Sequence, residues 1–109
     1  MAYIKNIEQD TVLSLAGQVE AQPGQIVSRT LAQNRAVSVT LFAFAQGEEI
    51  STHDSIGDAM VTVLEGTGRF TIDGEPHILQ AGETIVMPAR HPHAVYGQER
   101  FKMLLTVIF

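Results

Sequence analysis

The chain contains no cysteine. Disulfides and Cys-ligated metals are excluded, so the fold must rest on its core. A chain of 109 residues can do this, because a single domain of that size buries roughly two-thirds of its unfolded surface. Basic charge is also scarce. Seven Lys and Arg stand against twelve Asp and Glu, a formal net charge of -5. The seven are scattered singly and form no basic patch, so nucleic acid is not an expected partner. No apolar run approaches a membrane span; the longest, Met103–Phe109, is interrupted by Thr106 and reads as a strand. The first ten residues, MAYIKNIEQD, include acids and lead into no apolar run, unlike a signal peptide. A cytoplasmic location is the expectation. There is no long amphipathic helical period, no βα alternation and no Gly-rich phosphate loop opening a helix. No nucleophile elbow or oxyanion pattern accompanies Ser55.

What is present is a series of short strands. Residues 1–24 are irregular, with Val12–Ala16 as a short apolar segment and Gln22-Pro23-Gly24 as a turn. They read as an arm with about one helical turn, packed on the body or on a partner subunit. From residue 25 to 109 the pattern is β. Strands are expected over Ile26–Leu31, Ala36–Phe44, Ile50–Ser55, Ala59–Glu65, Arg69–Asp73, His77–Gln80, Thr84–Met87, His93–Tyr96 and Phe101–Phe109. Glu65-Gly66-Thr67-Gly68 reads as a hairpin connection, and Asp73-Gly74 is the strongest two-residue hairpin signal. Spacing of this kind predicts an all-β sandwich or barrel in one domain. The last strand, MLLTVIF, is apolar on both sides and should be central or buried.

Two stretches carry chemistry. Gly47–Gly66 holds His53 just before an apolar strand, and Gly82–Tyr96 holds His91 and His93. Strand alternation lets His53, Ser55, Ala59, Val61 and Val63 share one face, and His91, His93 and Val95 another. If both faces line one interior, His53 and His93 meet inside it. Imidazole is the commonest neutral metal ligand, so His53, His93 and His91 form a candidate site for Zn, Ni, Fe or Mn. Pro92 can instead rotate His91 outwards to the mouth. Glu49 could reach the site from its rim, while Asp54 and Asp58 read as loop acids. Phe42, Phe44, Met60, Phe70, Met87, Tyr96 and Met103 supply apolar surface for a small pocket or for ordinary core.

Gly47-x5-His53, Val63-Leu64-Glu65-Gly66 and Gly82-x5-Pro88-x4-His93 together resemble the two-motif signature of the cupin superfamily, in its small conserved-barrel type. The resemblance covers residues 36–109. It implies a double-stranded β-helix, or jelly-roll barrel, preceded by the irregular arm. It also implies a four-ligand divalent metal site: His-x-His and a Glu from the first motif, one His from the second. Carried onto this chain, His53 matches the first ligand and His93 the last, whereas Ser55 and Ala59 stand where a histidine and a glutamate would be. Arg90 stands where the second motif usually has glycine.

Two functional classes follow. In one, the protein binds a small molecule in a pocket formed by His53, Ser55, Ala59, Met60, Val61, Met87, His93 and Tyr96, at a degenerate metal site. In the other, it is a metal-dependent enzyme of dioxygenase or isomerase type, with a divalent metal on His53, His93 and His91. A homodimer is expected, because open sheet edges and the apolar last strand need cover.

Overall fold

Alternating side chains and closely spaced turns produce nine strands in the computed structural model, which describes residues 3–109. They are β1 (Ile26–Gln33), β2 (Val37–Phe44), β3 (Glu49–His53), β4 (Asp58–Glu65) and β5 (Thr67–Ile72), then β6 (Glu75–Gln80), β7 (Thr84–Met87), β8 (His93–Tyr96) and β9 (Phe101–Ile108). One sheet has the order β1-β2-β9-β4-β7 and the other β3-β8-β5-β6. All pairings are antiparallel. The two sheets face each other across the core as a jelly roll.

The last strand is central, flanked by β2 and β4, as its unbroken apolar run requires. Its Phe101 and Met103 are fully buried between the sheets. The core joins Phe44, Val61, Val63, Phe101 and Met103 of the first sheet to Phe70, Leu79 and Val95 of the second. At one end the aromatic rings close it. Phe44 stacks on Phe101 with centroids 4.6 Å apart, and Phe70 meets Phe101 edge-on at 5.9 Å.

Two turns decide the topology. Asp73 and Gly74 both have positive φ, 52° and 81°, the signature of the type I′ hairpin that the Asp-Gly pair predicts between β5 and β6. The Glu65–Gly68 segment is not a hairpin: β4 and β5 do not pair, and the chain there passes from one sheet to the other. Gly66 makes the crossing possible. Its φ is 76°, and a Cβ there would lie 2.0 Å from the Arg100 carbonyl oxygen.

The arm packs on the outer face of the five-stranded sheet. Val19 is buried with Leu31, Leu41 and Ala43, and Ile7 and Leu15 close over them. Among its described residues the one helical feature is a 3-10 turn, Ala16–Gln18. Lys5 N–H donates to the Leu31 carbonyl at 2.8 Å. Lys102, on β9, points outwards beneath the arm and is only 6% exposed. Its ammonium donates to the Ala16 carbonyl at 2.6 Å and lies 3.5 Å from Glu20 and 3.4 Å from Glu65. A lysine buried this way ties the arm to two strands of the sheet, β9 and β4, and nothing in its local sequence announces the role.

Candidate functional site: two histidines over an apolar cavity

Away from the aromatic cluster the two sheets do not close. Inward positions on β9 pass from Phe101 to Met103, Leu105 and Val107, and their partners on β4 pass from Val63 to Val61 and Ala59. Side chains become smaller towards the Val107 end, and a cavity of about 300 Å³ opens there. Ala59, Met87, Val95, Met103, Leu105 and Val107 form its apolar wall, with Ile50 beside them. His53, Asp54, Ser55 and His93 form its polar end.

The two histidines are brought together by strand pairing. His53 ends β3 and His93 begins β8, and they are direct cross-strand partners. Their rings meet edge-on with centroids 4.4 Å apart. Each is oriented by its own backbone. His53 Nδ1 lies 2.8 Å from the Ser51 carbonyl oxygen, and His93 Nδ1 lies 3.1 Å from that of His91. A carbonyl only accepts, so in each ring Nδ1 carries the proton and donates it, and the neutral ring leaves Nε2 as a bare acceptor. No buried side-chain nitrogen or oxygen among the described residues lacks a partner. The Nε2 of His93, which makes no hydrogen bond, must therefore reach accessible space even though the residue is 3% exposed. Burial lowers the pKa of His93; its backbone hydrogen bond to His91 opposes this, His53 adds to it and Asp54 opposes it.

Other expected members sit elsewhere. His91 is not a third partner: its Nδ1 lies 2.7 Å from Asp73 Oδ2, and both side chains are about half exposed. The cause is local. His91 precedes the first residue of β8, and Arg90 has φ of 66°, so strand parity does not extend across Pro92. The positive φ also explains why glycine suits the Arg90 position. Met60 points to the outer face and is 45% exposed, because its parity on β4 is opposite to that of Ala59. Tyr96 likewise faces out, where the Arg69 guanidinium lies 4.4 Å from its ring centre. Val61 faces inwards but is core, packed below the cavity floor. Phe44 and Phe70 belong to the aromatic cluster and Phe42 packs against that same core. Asp58 accepts from the Ala89 N–H at 2.8 Å, which fixes the turn before His91. Glu49 pairs opposite Tyr96 and does not line the cavity.

Among the described residues no group of three or more His, Cys, Asp or Glu is gathered closely enough to hold a metal ion. The family's four-ligand set is reduced to two imidazoles, one ligand short of a catalytic zinc site and two short of a structural one. The residues present do not fit that group. Among the described residues no helix is long and apolar enough to cross a membrane.

Comparison with known proteins gives a consistent picture. Residues 40–109 match the cupin domain family. A conserved protein of unknown function from Streptococcus pyogenes is 48% identical, with a TM-score of 0.97 over 99% of this chain and 95% of that one. A cupin superfamily protein from Desulfitobacterium hafniense is 36% identical, with a TM-score of 0.94 and 99% of each chain covered. A salicylate 1,2-dioxygenase from Pseudoaminobacter salicylatoxidans shares the fold alone, at 18% identity and a TM-score of 0.72, over 85% of this chain and 29% of that one. No curated protein matches.

Proposed function

The chain belongs to the cupin domain family, and within that fold we propose that it is a small-molecule binding protein whose metal site has degenerated. The fold alone does not choose an activity, since many unrelated functions share it. One observation carries the choice: two of the family's ligand positions are Ser55 and Ala59, and the volume their small side chains leave is continuous with an apolar cavity of about 300 Å³. Pockets that hold small ligands are concave, mostly apolar and furnished with a few placed polar groups. His53, His93 and Ser55 are those groups here.

Metal analysis and thermal shift test the reading. Tag-free protein is expected to carry no more than traces of Fe, Ni, Zn or Mn and to gain no stability from added divalent ions. Near-stoichiometric metal that disappears in His53→Ala would overturn the reading in favour of a metal-dependent enzyme, because a bound metal stabilises by mass action.

A homodimer belongs to the same proposal. Met60, Val86 and Ile108 are exposed side by side on the outer face of the five-stranded sheet, Met60 directly opposite Val86. The arm covers the rest of that face around Leu41 and Leu104 but leaves this part open. A second copy would cover it. Light scattering should give twice the 11.9 kDa chain mass, and Met60→Glu combined with Val86→Glu should halve it. A monomeric native protein defeats the dimer.

A further inference from the structure

Resting on the binding reading above, we infer that the cavity takes a molecule about one ring in size whose polar end donates hydrogen bonds, an alcohol, phenol or amine, in preference to a carboxylate. Size comes first. A cavity of about 150 Å³ suffices for benzene, so about 300 Å³ admits one substituted ring or an aliphatic of similar bulk. Its wall of Ala59, Met87, Val95, Met103, Leu105 and Val107 offers nothing polar to the body of the ligand.

The head group is set by what the polar end lacks. Among the described residues no Lys or Arg lines the cavity. Both imidazoles have spent Nδ1–H on backbone carbonyls and present bare Nε2 lone pairs. Asp54 adds carboxylate oxygens. Ser55 Oγ accepts from the Gly57 N–H at 3.2 Å, and its own hydroxyl proton is the single donor available. The end therefore reads as three acceptor groups and one donor. An alcohol or amine satisfies those acceptors. A carboxylate would face two lone pairs and an acid, and the loss of unpaired polar groups makes such a mismatch costly. Protonating both imidazoles to receive it would set two positive charges on rings 4.4 Å apart.

The test is a series of equal shape: toluene, benzyl alcohol, benzylamine and benzoate, titrated by ligand-observed NMR at pH 7.5 in the presence of a chelator. Toluene should bind weakly; benzyl alcohol and benzylamine should bind about five- to tenfold tighter, the gain of one well-made hydrogen bond. Benzoate should bind no better than toluene. His53→Phe keeps a ring at the exposed position and removes one acceptor; it should retain toluene and shrink the alcohol's advantage severalfold. Benzoate binding as tightly as benzyl alcohol, or toluene and benzyl alcohol binding equally, overturns the inference while leaving the cavity reading standing. Failure of every probe, toluene included, overturns both. The native-protein series decides even if the variant does not fold.

Discussion

The two ends of the same barrel are built on opposite rules. At the Phe101 end three phenylalanines from β2, β5 and β9 fill the space between the sheets, and Gly68 is required because a Cβ would lie 2.8 Å from the Phe101 ring. At the Val107 end β4, β7, β8 and β9 carry alanine, methionine, valine and leucine, and the space is left open under two histidines. One end supplies stability by close packing, and the other gives up some of it to keep a site. The difference lies in side-chain volume along β9 and β4, whose ladder runs in one register from Asp58–Ile108 to Val63–Met103 and shifts only beyond it, between Val63 and Glu65.

The largest effect that separates the ends is expected at the closed one. Phe101→Ala should cost about 3–5 kcal/mol in chemical denaturation, the usual range for a buried phenylalanine. A loss below about 1 kcal/mol would show that this end is not the stabilising half. Next comes the outer face. Lys102→Ala should cost about 1–3 kcal/mol, because it orphans the Ala16 carbonyl and leaves Glu65 and Glu20 without their partner. Hydrogen exchange should rise in residues 5–21 while the barrel strands stay protected; uniform exchange across the chain would contradict an arm-specific role.

At the open end the expected signature is small in stability and large in function. Ala59→Leu places its added carbons in empty volume, so it should change stability by less than about 1 kcal/mol while abolishing binding of benzyl alcohol. A large destabilisation would mean that this end is packed as tightly as the other.

The smallest effect is one of pH. The folded pKa of His93 is depressed from its ordinary 6.5, so the unfolded chain binds this proton first. Above 6.5 both states are neutral at this residue and it contributes no slope. As pH falls below 6.5, stability should decline, and the decline should end once the folded protein also protonates His93. His93→Asn should lack that component when unfolding free energy is followed from pH 8 to pH 5. An unchanged acid-side slope would mean that burial is not holding the ring neutral.

Much of the fold was legible because turns and alternation are local. The bounds of β7 and β8 follow directly from Thr84–Met87 and His93–Tyr96 between turn residues, and Asp73-Gly74 encodes its own hairpin. The His53–His93 pair was legible as well, since strand parity and two motifs point at it. Parity failed where the chain leaves a strand, as at His91 beyond Arg90 and Pro92. It also gives direction without depth: Val61 faces inwards with Ala59 but lies on the packed side of the cavity floor. Leu105 and Val107 were hidden for another reason. The last strand is apolar on both faces, so nothing in its pattern says which face turns inwards until the arm and Lys102 claim the other.

By itself the sequence determined that this is a cysteine-free, all-β jelly roll of the cupin kind, with two histidines facing each other and two small residues where metal ligands would stand. Those are properties of residue type, spacing and alternation, which local geometry converts into strands and turns. Tertiary structure alone decided which part of the five-stranded sheet's outer face the arm covers, that His91 pairs with Asp73, and that the Val107 end stays hollow. Each of these depends on which distant side chains arrive at one place and how much volume they fill there. For the stretch Gly47–Gly66, that means His53 is fixed in the chain, but its bare Nε2 becomes a reader of ligand chemistry only through the strand that returns with His93.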